Sequence, residues 1–121
     1  MKVIIAGSRT FHDYQFLKEE MEKLNLEIDE VVCGEAFGAD TLGRKWAIEN
    51  NIPIKSFYPD WNRLGKAAGI IRNHQMGDYA DYLVAFWDGK SRGTKDMINY
   101  MQQLGKHGSV IIYERKKISS D

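Results

Sequence analysis

The chain has 121 residues, fewer than the ~150 that serve as a soft unit for one domain, which leaves room for a single folded module. An apolar share of 43% and a charged share of 28% exclude the disordered, collagen-like and disulfide-rich classes. The 17 basic groups balance 17 acidic ones, so no global field attracts a polyanion and any anion site has to be local.

That balance hides an asymmetry, since residues 1–60 hold 7 basic and 11 acidic groups and residues 61–121 hold 10 and 6. Cys33 stands alone, which rules out an intramolecular disulfide and suits a reducing compartment. The longest purely apolar run, Tyr82–Trp87, is too short to span a membrane, and Met1-Lys2-Val3 leads straight into a strand-like segment instead of a signal peptide. A cytoplasmic protein with no membrane partner is expected.

In chain order, Val3-Ile4-Ile5-Ala6 is an unbroken apolar run ending at Gly7, the pattern of a strand buried on both faces. Tyr14, Leu17, Met21 and Leu24 then recur at steps of three and four against Lys18, Glu19, Glu20, Glu22 and Lys23. This predicts an amphipathic helix capped by Asp13. The alternation continues with a strand over 31–33, a helix over 39–51, a strand over 52–57 and a helix over 70–79. A strand over 82–87, a helix over 94–105 and a strand over 110–113 complete it. Five strands alternating with four helices predict an α/β, Rossmann-like three-layer fold, its parallel sheet joined by right-handed crossovers. The domain is expected to occupy residues 1–113, and the polar tail, 114–121, is expected to fray. The segment 58–69 shows no periodicity and is long for a connection in a compact domain, which makes it a candidate for function.

Open parallel sheets bind ligands beyond the carboxyl ends of their strands, where strand order reverses. Three glycine-bearing loops belong there: Gly7-Ser8-Arg9-Thr10-Phe11, Gly34-Glu35-Ala36-Phe37-Gly38-Ala39-Asp40 and Asp88-Gly89-Lys90-Ser91-Arg92-Gly93-Thr94. With strand order 3-2-1-4-5, the first and third face each other across one crevice. Glycines admit close backbone approach, the hydroxyls of Ser8, Thr10, Ser91 and Thr94 donate, and the helix that follows adds its positive end, so the pattern suits an anion. One such loop alone reads more readily as a turn and cap; three at one sheet edge favour binding.

In the long connection, Tyr58 and Trp61 fit base stacking, although Trp61 reads equally as an aromatic pinning a surface loop. Lys66 and Arg72, the latter beside Asn73, fit phosphate. A cation early in a helix is disfavoured by the dipole unless an anion meets it, which favours the functional reading of Arg72. Neither G-x-G-x-x-G nor G-x-x-x-x-G-K-[ST] occurs, which disfavours a dinucleotide dehydrogenase or a P-loop NTPase. His12, His74 and His107 are scattered and Cys33 lacks a partner at metal spacing, so no metal is expected. Ser8 does not sit in a G-x-S-x-G elbow, and Cys33 reads as a small buried hydrophobe.

Together, Gly7-Ser8-Arg9-Thr10-Phe11, Gly38-Ala39-Asp40, Asp60-Trp61, Gly65-Lys66-Ala67-Ala68-Gly69, Arg72-Asn73 and the run from Phe86-Trp87-Asp88 to Gly93-Thr94 resemble the YspA-type, YpsA-related branch of the SLOG superfamily, over about residues 2–113. The resemblance implies a Rossmann-like domain for a nucleotide or nucleotide derivative such as ADP-ribose or NAD. It implies distant kinship with the cytokinin-activating phosphoribohydrolases and with the DNA-uptake protein DprA, and association as a homodimer. On this resemblance, phosphate would be held by Arg9, Lys66, Arg72 and the segment Ser91 to Thr94, with a base beside Trp61 or Trp87. Gly7, Ser8, Thr10, Gly34, Gly38, Ala39, Asp40, Asn73, Asp88 and Gly89 would complete the site.

The phosphoribohydrolases carry P-G-G-x-G-T-x-x-E. Gly93-Thr94 matches its phosphate portion, but Met97 stands where the glutamate would be. Asp96, one residue earlier, is rotated by about 100° on a helix. A catalytic carboxylate would therefore come from Glu35, Asp40, Asp60 or Asp88, with Asp40 reading slightly more readily as a helix cap than as a catalytic group. The leading expectation is a nucleotide-binding module without a resident cofactor, serving as a ligand sensor or in nucleotide processing. The alternative is a nucleotide N-glycosidase or phosphoribohydrolase with a relocated carboxylate. DprA-like nucleic-acid binding is disfavoured by the zero net charge, although the basic second half leaves room for a local patch.

Overall fold

The computed structural model describes residues 1–113, and the tail expected to fray, residues 114–121, lies outside the described residues. Strands β1 (Lys2–Gly7), β2 (Glu30–Cys33), β3 (Ile54–Ser56), β4 (Tyr82–Trp87) and β5 (His107–Ile112) form one sheet in the order β3-β2-β1-β4-β5. Every neighbouring pair is parallel. The connections carry helices α1 (Tyr14–Leu24), α2 (Ala39–Glu49), α3 (Trp61–Leu64), α4 (Ala68–Tyr79) and α5 (Arg92–Gln103). This is the expected Rossmann-like architecture, with α3 as a short addition. Among the described residues no helix is long and apolar enough to cross a membrane.

The two-residue period of a strand explains why its central members are apolar throughout. Val3 and Ile5 of β1 pack with Phe11, Leu17, Met21, Val31, Ala47, Val84 and Phe86 on one face. Ile4 and Ala6 pack with Val32, Met76, Leu83, Ala85, Met97 and Met101 on the other. Each large side chain so buried contributes about 1.5–3 kcal/mol.

Local chemistry fixes the helix ends. Asp13 Oδ1 accepts from Phe16 N at 3.1 Å, as expected of an N-cap, and α1 stops at Asn25 in the left-handed region (φ 48°). The end of α4 is closed by Lys106, whose Nζ donates to the carbonyls of Gly77 (2.7 Å), Asp78 (3.1 Å) and Ala80 (2.8 Å).

Several boundaries differ from the expected ones. The third strand is shorter than 52–57 because Ile52 N turns back to Ala47 O at the end of α2 and Pro53 has no N–H to give. The fifth strand begins at His107, not 110, its first residues pairing with Tyr82 and Leu83. Helix α5 starts at Arg92, ahead of the expected 94. The aperiodic segment 58–69 contains α3 and a 3-10 turn, Gly65–Ala67, and α4 begins at Ala68 instead of 70. Arg72 therefore lies in the second turn of α4, which weakens the dipole argument for an anion beside it.

Candidate functional site

The carboxyl ends of β1 and β4 lie side by side, with Gly7 opposite Phe86. A Cβ on Gly7 would stand 2.0 Å from Phe86 O, so glycine is what permits this approach and lets Ser8 N donate to that oxygen at 3.0 Å. Ser8 is buried and ties three loops together. Its carbonyl accepts from Ala39 N at 3.3 Å, at the start of α2, and its Oγ accepts from Asp88 N at 3.1 Å, after β4. Gly38 (φ +80°) packs onto the same turn, where a Cβ would meet Ser8 O at 2.4 Å.

The loop before α5 is shaped by Asp88. Its Oδ1 accepts from Lys90 N and Ser91 N, each at 2.8 Å, and the N–H groups of Ser91 and then Lys90 hold this carboxyl below its usual range. Ser91 Oγ and Thr94 Oγ1 pair at 3.2 Å, and the Trp87 indole N–H donates to Ser91 O at 3.0 Å.

Between these loops, α3 and α4 opens a cleft of about 170 Å³, lined by Ala6, Arg9, Ala36, Trp61, Lys66, Gly69, Ile70, Arg72, Asn73, Gly93, Thr94 and Met97. Of the expected residues it brings together Arg9, Trp61, Lys66, Arg72, Asn73, Gly93 and Thr94. Gly7, Ser8, Gly34, Gly38 and Ala39 build the frame behind it. Thr10, Trp87, Asp88, Gly89 and Ser91 stand outside the lining; Trp87 spends its indole N–H on the loop rather than facing the cleft. Ala6, Ala36, Gly69, Ile70 and Met97 were not anticipated. They are small or apolar, and no spacing marks them as lining, since they meet only through the sheet topology.

Arg72 is almost wholly buried. Its Nη1 donates to Gly34 O in a very short contact, and its Nε donates to Asn73 Oδ1 at 3.1 Å. Asn73 Nδ2 in turn donates to Gly93 O at 3.2 Å, so α4 is pinned to the start of α5 and to the β2 loop. Asp40, in the first turn of α2, is only 5% exposed, and its Oδ2 accepts from Ala36 N at 3.2 Å. Burial pushes this carboxyl up to about 6, against the opposing pull of that N–H and of Arg72 and Arg9. Gly34 separates the two charges: a Cβ there would lie 2.8 Å from Asp40 Oδ2 and 3.2 Å from Arg72 Cζ.

The other candidate carboxylates are engaged elsewhere. Glu35 accepts from Arg44 Nη1 at 3.0 Å and Ser56 Oγ at 3.1 Å. Burial works to raise it, but bonds from Cys33, Ser56 and Arg44 prevail and lower it. It lines a separate cavity of about 180 Å³ with Cys33, Ala36, Phe37, Thr41 and Arg44. Cys33 is buried there and its thiol is pushed far up by that burial. Asp60 caps α3, accepting from Arg63 N at 3.2 Å. Met97 lines the cleft, whereas Asp96 meets His74 Nε2 at 3.3 Å on the outer side of α4 and α5. No acidic residue belongs to the lining.

The cleft thus combines three cations and the first turn of α5, which offer donors and positive charge, with Trp61, 52% exposed. Carbon Cη2 of the Trp61 ring lies 3.6 Å from where a Gly69 Cβ would be, and the half-exposed ring offers apolar area for stacking. Among the described residues no cluster of His, Cys, Asp and Glu could hold a metal ion.

Comparison with known proteins adds the lineage. The model of the YspA, cpYpsA-related SLOG family matches residues 1–64. The Gene 61 protein of Mycobacterium phage D29 is 32% identical over 114 residues, covering 86% of this chain and 90% of that protein. The fold is similar to that of DNA processing protein A (DprA) from Streptococcus pneumoniae, with a TM-score of 0.75 and 18% identity over 98% of this chain and 52% of that one. The chain spans about half the length of DprA, and at this identity the likeness concerns the fold alone. From the family match and the phage relative, the chain belongs to the YspA, cpYpsA-related SLOG family.

Proposed function

We propose that the chain is a binding module for a nucleotide or nucleotide derivative, of the ADP-ribose or NAD kind, held over the carboxyl edge of the sheet. Phosphate would sit against Arg9, Lys66, Arg72 and the first turn of α5, with the base on Trp61. The observation that carries this reading is the lining itself: three cations and a helix start share the cleft with a half-exposed indole, with no carboxylate among them.

Calorimetric and thermal-shift titration with nucleoside monophosphates, NAD and ADP-ribose tests it. One of these ligands is expected to bind and to stabilise the fold by mass action. Arg9→Ala is expected to weaken it by at least about tenfold, the scale of one charge-assisted hydrogen bond. A panel without a ligand, or binding indifferent to Arg9→Ala and Gly93→Ala, refutes the reading.

A second reading, hydrolysis of a nucleotide N-glycosidic bond, draws on Asp40, a buried carboxyl raised to about 6 behind the cleft. Release of free base from nucleoside monophosphates, lost in Asp40→Asn, would favour it; intact substrate would remove it. The cleft lining argues for binding as the primary role, because the carboxylate is one layer removed from it.

A further inference from the structure

Among the described residues Asp40 is the only buried acidic side chain and Arg72 the only buried basic one. They face each other across the bare Cα of Gly34. Asp40 Oδ2 has the N–H of Ala36, and Arg72 is held through Nη1 and Nε. Among the described residues nothing accepts from Arg72 Nη2, and Arg72 lines the cleft. The other charged and titratable groups around the carboxyl are Arg9 from the β1–α1 loop and Glu35 from the loop preceding α2. The Cys33 thiol of β2 rests on the backbone oxygen of Asp40 at 3.6 Å.

An anion in the cleft would draw on Arg9 and Arg72, the same two cations that favour the ionised form of Asp40. The two negative charges would then compete for them, and Asp40, buried and so least able to rely on water, is the one driven to neutralise. A phosphate diester cannot take up a proton near neutral pH, whereas Asp40 can.

Resting on the binding role proposed above, we propose that anion binding in the cleft is coupled to uptake of one proton from the buffer by Asp40, so that the module holds a phosphate-bearing ligand more tightly as pH falls. In the ligand-free protein the charge of the carboxylate draws on Arg72 and Arg9, and the neutral acid leaves that charge to the ligand. Since the free carboxyl titrates at about 6, affinity is full below that point. It falls above it by up to about tenfold per pH unit, until the midpoint of the loaded state is reached.

Phosphate monoesters themselves titrate near pH ~6, so the probes are ADP-ribose, whose pyrophosphate diester keeps its charge, and inorganic sulfate. Calorimetry near neutral pH, in buffers of different ionisation heat, is expected to show uptake of up to one proton and an affinity that declines as pH rises. In Asp40→Asn the uptake vanishes and the affinity becomes flat with pH. Binding without uptake, or uptake unchanged in Asp40→Asn, overturns the proposal. Should Asp40→Asn fail to fold, carbon NMR of the wild-type carboxyl decides: its midpoint rises on saturation with sulfate, and an unmoved midpoint overturns the proposal. If sulfate binds with proton uptake while ADP-ribose, NAD and the monophosphates do not bind, the nucleotide reading falls and the coupling stands. If no anion binds the cleft, both fall.

Discussion

Replacing Gly34 by alanine perturbs the site first through the three atoms nearest its new Cβ. The backbone at Gly34 is not in the left-handed region, so alanine meets no conformational penalty there, and the effect is steric. The new Cβ would stand 2.8 Å from Asp40 Oδ2, 3.1 Å from Met76 Cε and 3.2 Å from Arg72 Cζ. Met76 is flexible and can yield, but Asp40 is buried and tied to Ala36 N, and Arg72 is tied to the Gly34 carbonyl and to Asn73. Overpacking of this kind costs about 1–3 kcal/mol. A displaced guanidinium would forfeit a charge-assisted hydrogen bond worth about 1.5–3 kcal/mol. Gly34→Ala is therefore expected to lower stability by about 2–4 kcal/mol, a sum at the low end because the two losses overlap. Urea titration reads this as a lower midpoint at unchanged slope. Binding of ADP-ribose should weaken by tenfold or more, since Arg72 no longer presents to the cleft. A loss under about 0.5 kcal/mol, the scale of an ordinary surface change, would refute the role given to Gly34 as the spacer between Asp40 and Arg72.

Gly93→Ala is the opposite case, since nothing lies within 4 Å of its Cβ position and it occupies the first turn of α5. Stability by thermal melting should hold or rise by up to about 1 kcal/mol, while ligand affinity falls because the backbone approach is blocked. Lys106→Met should cost about 1.5–3 kcal/mol, since three carbonyls at the end of α4 lose a charged donor; an unchanged denaturation midpoint would contradict this. Asp40 also makes stability depend on pH. Its folded-state carboxyl is raised from 3.8 to about 6, so its contribution is fully present below pH ~4 and is lost as pH rises through ~6, by an amount on the order of 1–3 kcal/mol. Denaturation across that window should show a slope in the wild type that Asp40→Asn flattens.

The sheet was legible because its strands are buried on both faces and so appear as uninterrupted apolar runs, and because a parallel sheet of this kind places Gly7 and Gly93 at one edge. Arg9, Lys66 and Arg72 stood out as cations at that edge. Helix α3 did not, because four residues carry no period to read, and it is this element that brings Trp61 into the cleft lining. The meeting of Asp40 with Arg72 was equally hidden, since they stand 32 positions apart in the chain and meet across the bare Cα of Gly34. Trp87 looked equivalent to Trp61 in sequence, yet a single bond to Ser91 O keeps its indole on the loop. A helix starting at residue 70 would place Arg72 in its first turn. With α4 beginning at Ala68, part of what stabilises this cation is protein: the Gly34 carbonyl and the Asn73 amide oxygen.

The most direct test of a nucleotide-binding cleft at the β1/β4 edge is nitrogen-edited NMR of the whole chain during titration with ADP-ribose. Saturable shifts are expected, confined to Arg9, the Trp61 indole N–H, Ile70, Arg72 and the amides of Gly93 and Thr94. Absence of saturable change, or changes gathered elsewhere, such as on Val110 and Ile112 of β5, would contradict it.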